Sequence, residues 1–192
     1  PDGSVFFSDW SDTGECHSVR NTQRETGRIF KVTYGDPQWS AVNIAKLPEQ
    51  ELVRLHLHRN DWHVRHARRV LQERAAAGQD MSAVRTALLA IFNEHVEVPR
   101  KLRALWTLHT IGQLDDAFLL DQLNHESDCV RAWSVRLLCE DFQASSTELQ
   151  RFAELAETET SANVRLHLAS SLQRLPMENR WEVARALVKH GE

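Results

Sequence analysis

Paired cysteine chemistry is the first thing this sequence lacks: it holds 3 cysteines, Cys16, Cys129 and Cys139, and no CxxC or CxxCH spacing. An odd number cannot all pair within one chain, and a zinc ribbon or covalent haem attachment is unsupported. Cys129 and Cys139 fall on one expected helix, about 15 Å apart along its axis and beyond the reach of a disulfide, so free thiols are expected. Glycine and proline are also scarce, at 7 and 5 in 192 residues, which leaves little room for long loops. No apolar run reaches membrane-spanning length, and no signal-peptide pattern leads the chain. A net charge of -4 argues against a chain whose main task is to neutralise nucleic-acid phosphates.

What is present is an ordinary apolar fraction of 42% and a charged fraction of 26%, in a chain long enough to bury a sizeable core. It opens at Pro1 within a strand-like pattern, so a piece of a larger protein is expected.

Two parts differ in periodicity. Residues 1–43 contain two aromatic and β-branched runs, Ser4–Trp10 and Arg28–Tyr34, bounded by glycines. They predict a short β-hairpin with a long polar connection, too marginal to stand alone and therefore leaning on the helices. Asp36 to Val42 has linker character, with Trp39 as an anchor for the crossing.

Residues 44–192 read as paired helices. Pro48 with Glu49 opens the first, Asn60-Asp61 caps the second and Gly78 ends it. Asp80 caps a third, and Pro99 begins a fourth that Gly112 closes. Five more follow over 115–125, 127–141, 145–158, 161–175 and 176–190. The ninth lacks a partner, so its stripe of Trp181, Ala184, Leu187 and Val188 should be left part exposed.

A repeat underlies this pattern. Asp128–Leu138 superposes on Ala162–Leu172 at a shift of about 34 residues, aligning Val130 with Val164, Arg131 with Arg165 and Leu138 with Leu172. Asp61–Leu71 and Arg100–Leu108 match more loosely, through Ala67 and Ala104. Small residues there, with Ser134, let neighbouring helices approach closely.

The Asp/Asn-x-Val-Arg core with following Ala and Leu resembles HEAT repeats. The resemblance implies a mainly α fold: an α-α superhelix of the HEAT/ARM-like solenoid kind, about four helix pairs plus a final helix, with the N-terminal β-hairpin. It also implies a ladder in which Asp61, Asp128 and Asn163 are turn partners for Arg65, Arg131 and Arg165. Ordinary caps beside solvated arginines are the other reading.

The stretch from Pro1 to His17, followed by Thr26–Gly35, resembles the last blade of a β-propeller. With Leu47–Leu52 and Arg59–Arg74 it is similar, over about residues 1–80, to the planctomycete-type membrane-bound dehydrogenase family. Those large secreted proteins join a propeller, akin to quinone-dependent sugar dehydrogenases, to HEAT-like repeats and often a cytochrome c domain. The Ser-Asp-Trp-x-Asp-Thr-Gly-Glu-Cys-His stretch carries the likeness, with Ser11 where a more polar residue, often His, belongs. The resemblance implies a periplasmic or secreted parent using a quinone or haem c. The propeller's active centre and CxxCH are missing here, so no cofactor is expected in this chain and activity does not carry over.

Candidate sites are weighed against plainer readings. Asp9, Asp12, Glu15 and His17 crowd one loop and offer hard oxygen and imidazole ligands for a metal, although such residues usually make turns. Cys16 beside His17 has no orienting third group for nucleophilic work. His56, His58, His63 and His66 form a dense imidazole cluster, but 56 and 58 diverge on a helix, so surface or helix-end histidines are expected. On the second helices, which line the concave face of HEAT-like stacks, Arg65, Arg68, Arg69, Arg103 and Arg136 could receive an acidic peptide or phosphate. Trp62, Trp106 and Trp133 could add stacking anchors, unless these groups pair with Glu and fill gaps. The favoured site there is Arg65, Arg69, Arg103, Trp106, Trp133 and Arg136.

These readings predict a protein-interaction or spacer scaffold within a larger extracytoplasmic protein, without catalysis of its own. Its partners would be proteins or neighbouring domains. Two alternatives are an accessory segment of a quinone- or haem-linked sugar or alcohol dehydrogenase, and a nucleic-acid-binding HEAT array.

Overall fold

The computed structural model describes residues 2–9, 27–37 and 41–191. Among these the protein is mainly helical, with one two-stranded antiparallel hairpin of β1 (Val5–Ser8) and β2 (Ile29–Val32). The first pair is α1 (Glu49–Arg54) with α2 (Asp61–Ala76), and the second is α3 (Ser82–Glu94) with α4 (Val98–Thr110). Then come α5 (Asp116–Gln122) with α6 (Asp128–Leu138), α7 (Ser146–Thr158) with α8 (Ala162–Ser171), and a single α9 (Trp181–Leu187).

Helix boundaries follow the capping chemistry. The Asn60 side chain accepts the Trp62 N–H at 3.0 Å, and Asp115 accepts that of Phe118 at 2.7 Å. Ser145 and Glu148 form a reciprocal capping box at the start of α7. Gly112, at φ +67°, ends α4 in the left-handed region; the next N–H, of Gln113, reaches back to the Leu108 carbonyl at 2.9 Å. The ninth helix is shorter than the sequence predicts: after Pro176 a 3-10 turn spans Met177–Asn179, and α9 begins only at Trp181.

The helices pack as a linear array. Each second helix touches the next, α2 on α4, α4 on α6 and α6 on α8, while α1 meets α3 and α7 meets α9. The core runs continuously through all pairs, with Leu71, Leu88, Leu105, Val135, Phe152 and Leu168 fully enclosed. Ala67, Ala104 and Ser134 are buried where the second helices converge. On α9 the buried side is Val183 and Ala186, while Trp181, and Val188 just after the helix, are exposed.

A second periodic device was not anticipated. Two residues before the first residue of each second helix's cap, a side chain folds back and accepts a backbone N–H. His58 Nδ1 accepts from Asn60 at 2.9 Å, His95 Nδ1 from Glu97 at 3.0 Å, and His125 Nδ1 from Ser127 at 2.9 Å. In the fourth pair Glu159 Oε1 takes the same place, accepting from Ser161 at 2.8 Å. Each turn thereby satisfies an N–H that the helix leaves orphaned.

Of the expected arginine pairs, Arg65 with Asp61 is present, and Arg131 and Arg165 take other partners. Arg65 pairs with Asp61 inside α2, and Asp61 also holds Arg103 of the next pair at 3.1 Å. Asp128 instead accepts the Ser161 hydroxyl at 2.8 Å, and Arg131 grips Glu159. Arg165 donates to the Glu159 and Thr160 carbonyls at 3.1 and 2.9 Å. Acids of the turns thus link neighbouring pairs in both directions: Asp61 and Asp128 reach the following pair, and Glu159 reaches back to Arg131.

The hairpin departs from expectation. Its strands pair Val5 with Val32, Phe6 with Lys31, Phe7 with Phe30 and Ser8 with Ile29, yet every strand residue is exposed rather than buried against the helices. Cross-strand contacts hold it instead: Phe7 stacks on Phe30 at 5.2 Å, and Lys31 pairs with Asp2 at 2.6 Å.

Candidate functional site

The described part of the chain concentrates its distinctive side chains on the face formed by the second helices. Trp106 of α4 and Trp133 of α6 meet edge to face, with ring centroids 4.8 Å apart. Arg68 of α2 lies over the Trp106 ring at 5.3 Å, and Arg136 of α6 lies over the Trp133 ring at 5.5 Å. Three successive second helices thus contribute to one cluster. It borders a cavity of about 340 Å³, which His109, Thr110, Leu137 and Glu140 also line.

The cluster is tied to the core through a polar chain. His56, enclosed at 0% exposure, directs Nδ1 at the Leu52 and Val53 carbonyls at 3.0 and 3.2 Å, so that nitrogen carries the proton. Its Nε2 then accepts from the Thr107 hydroxyl at 2.7 Å, and Arg68 Nε donates to the same Thr107 oxygen at 3.2 Å. Burial pushes the His56 pKa down to about 4; the Leu52 and Val53 carbonyls act against it, and the charge of Arg68 adds to it. Burial also lowers the Arg68 pKa, with Asp61 pulling the other way. The Trp106 Nε1–H is enclosed and has no hydrogen-bond partner among the described residues.

Of the residues singled out from sequence, Trp106, Trp133 and Arg136 come together, and Arg68 joins them. Arg65 and Arg69 do not; each is exposed and pairs along α2, with Asp61 and with Glu73. Arg69 borders a separate open cleft of about 620 Å³ between α2 and Ala41–Ala45, beside Trp62 and His66. Arg103 is a structural tie, donating to the His56 and His58 carbonyls at 3.2 and 2.9 Å as well as pairing with Asp61. Arg174, which sequence reasoning passed over, lies over the Phe142 ring at 5.1 Å and pairs with Glu140 at 3.4 Å. An arginine set over an aromatic ring recurs along this face, and the Arg68–Trp106 and Arg174–Phe142 cases become visible only once the pairs are stacked.

The histidine cluster is corrected. His56 does sit at a helix end, in the 3-10 turn that closes α1, but it is a core residue rather than a surface one, because its two nitrogens find partners inside. His58 closes a turn, His66 stacks on Trp62 at 4.0 Å, and His63 is buried beside His58 and Trp62 with its pKa lowered, first by burial. No three His, Cys, Asp or Glu side chains among the described residues converge as a metal-ligand set. Asp12, Glu15, Cys16, His17 and Trp39 lie outside the described residues. Asp9 faces Arg28 at 3.8 Å. Cys129 and Cys139 are free thiols, and burial pushes the Cys139 pKa up to about 11, the opposite of an activated nucleophile. No helix among the described residues is long and apolar enough to cross a membrane.

No family model matches the chain, and no curated protein matches it. Among solved structures, an engineered protein determined by crystallography aligns with 72% of this chain and 67% of its own, at 17% identity and a TM-score of 0.37. A likeness that weak carries no argument about this chain.

Proposed function

We propose that this chain is a HEAT-like protein-interaction scaffold, that the face of its second helices is the docking surface, and that it has no catalysis of its own. One observation carries the reading. Trp106, Trp133, Arg68 and Arg136, drawn from three helices, form an aromatic and cationic cluster at the edge of a cavity. Tryptophan and arginine are the residue types that dominate binding energy at protein interfaces. A stack of helix pairs presents such a surface on rigid elements, which keeps the ordering cost of binding low.

The parent, by the resemblance of residues 1–80, is an extracytoplasmic multidomain protein of the membrane-bound dehydrogenase kind. In it this segment spaces or docks domains, and the quinone or haem chemistry lies elsewhere. The exposed aromatic and branched residues of β1 and β2 support a hairpin that belongs to a larger sheet.

Site-specific photocrosslinking in the full-length protein tests the docking surface. Crosslinkers at Thr110 and Ser170, on the second helices, should give one shared protein adduct or an intramolecular domain adduct. A crosslinker at Gln150 of α7 should not. Equal labelling from all three positions, or none from Thr110 and Ser170, refutes the reading.

A further inference from the structure

We propose that the cavity framed by Trp106, Trp133, Arg68 and Arg136 receives a carboxylate side chain from an acidic peptide segment; the proposal rests on the scaffold reading above. The first observation is an imbalance of charge. Arg65, Arg69, Arg74, Arg100, Arg103 and Arg131 each reach a carboxylate within the chain. Arg68 and Arg136 do not. Arg68 spends its Nε on Thr107, and its two terminal nitrogens have no hydrogen bond or ion pair among the described residues. Among the described residues, Arg136 has the Trp133 ring and no hydrogen bond or ion pair. Arg68 is partly buried, with Asp61 acting on it only at a distance, and Arg136 is exposed; an incoming carboxylate would give both a direct counter-charge.

The second observation is geometry. A guanidinium lying over an indole face is oriented by the ring, and its N–H edge stays available for the two-pronged bond that carboxylates accept. The two indoles fix both guanidinium groups without consuming their donors. Glu140, the one acid at the cavity, is already engaged by Arg174 at 3.4 Å.

The third is size and continuity. About 340 Å³ suits a side chain and its flanking backbone. Arg136 is shared with a second recess of about 210 Å³ that carries His167, Ser170 and the exposed Leu166. An extended segment can therefore place an acid against Arg68 and Arg136 and run on along α8. A nucleic acid fits less well, because two arginines do not make a row of phosphate contacts.

Fluorescence anisotropy with a labelled eight-residue peptide carrying Glu at alternate positions, against its Gln counterpart, decides the matter. The Glu peptide should bind and the Gln peptide should bind at least about tenfold more weakly. Arg136→Gln should cost about tenfold in affinity for the Glu peptide at an unchanged melting temperature, and Arg68→Gln should cost as much. Arg65→Gln, outside the cavity, should change it less than about twofold. Because Arg68 also steadies Thr107, Arg136→Gln alone suffices if Arg68→Gln is misfolded. Equal binding of the two peptides, equal losses from all three variants, or displacement of the Glu peptide by a single-stranded oligonucleotide at lower concentration overturns the assignment. If those results arise while Thr110 and Ser170 still give a shared adduct, the scaffold reading stands and only the carboxylate assignment fails. If the adduct is also lost, both fail.

Discussion

Arg131 and Glu159 clasp each other across two successive helix pairs: Nε and Nη2 donate to the two carboxylate oxygens, each at 2.8 Å. Arg131 also holds the His125 and Glu126 carbonyls of its own turn at 2.8 and 3.1 Å, and Glu159 accepts the Ser161 N–H of the next. One ion pair thus fixes the relative position of two turns.

Glu159→Ala should therefore be among the most destabilising single changes, because it strands a largely buried guanidinium as well as the Ser161 N–H. A loss of about 3 kcal/mol is expected from urea unfolding. Burial alone would raise the Glu159 pKa, but the Arg131 and Ser161 hydrogen bonds and the charge of Arg131 outweigh it, so the net shift is downward. The pair's stability is then present above the unfolded carboxylate range and is lost as pH falls through and below it. Glu159→Gln should flatten that acid limb, and an unchanged limb would contradict the assignment.

His56 adds a separate pH dependence. Its pKa is about 4 when folded against 6.5 for the free side chain. The unfolded chain binds the proton first, so stability is complete above about pH 6.5 and falls as pH drops toward 4. The span corresponds to about 3 kcal/mol. Chemical denaturation of wild type and His56→Gln at pH 7 and pH 4.5 checks this. The variant should be less stable at pH 7 and should lose less between the two.

The contact between second helices depends on small side chains. Ala104→Leu places extra volume where α4 meets its neighbours, at a residue with 0% exposure. It should lower stability by about 1–3 kcal/mol in a thermal or urea melt. Exposed Thr86→Leu on α3 should not.

The turn histidines are acceptors rather than ligands. His125→Ala should cost about 1 kcal/mol by leaving the Ser127 N–H unsatisfied. His125→Glu should keep most of that stability, since Glu159 already performs the task in the fourth pair. Equal destabilisation by both would show that the imidazole contributes through packing against Phe92 instead.

Much of the helical layout was legible in the residues. Apolar spacing with Asn60, Asp115, Ser145, Gly78 and Gly112 marked the helices and their ends, since caps and left-handed termini are local chemistry. The site was half legible. Trp106, Trp133 and Arg136 stood out as large side chains on second helices, but Arg103 proved a tie to the previous turn. The burial of His56 was not legible, because its Thr107 partner lies in the next helix pair.

Sequence alone determined that this protein would be paired helices with a small hairpin ahead of them, for helix periodicity and capping act within a few residues of the chain. Only the tertiary structure decided which arginines would be consumed by carboxylates and which would be left over indole rings. That choice turns on the offset between stacked pairs, a long-range quantity set when their apolar faces lock together, and it leaves Arg68 and Arg136 facing the same cavity.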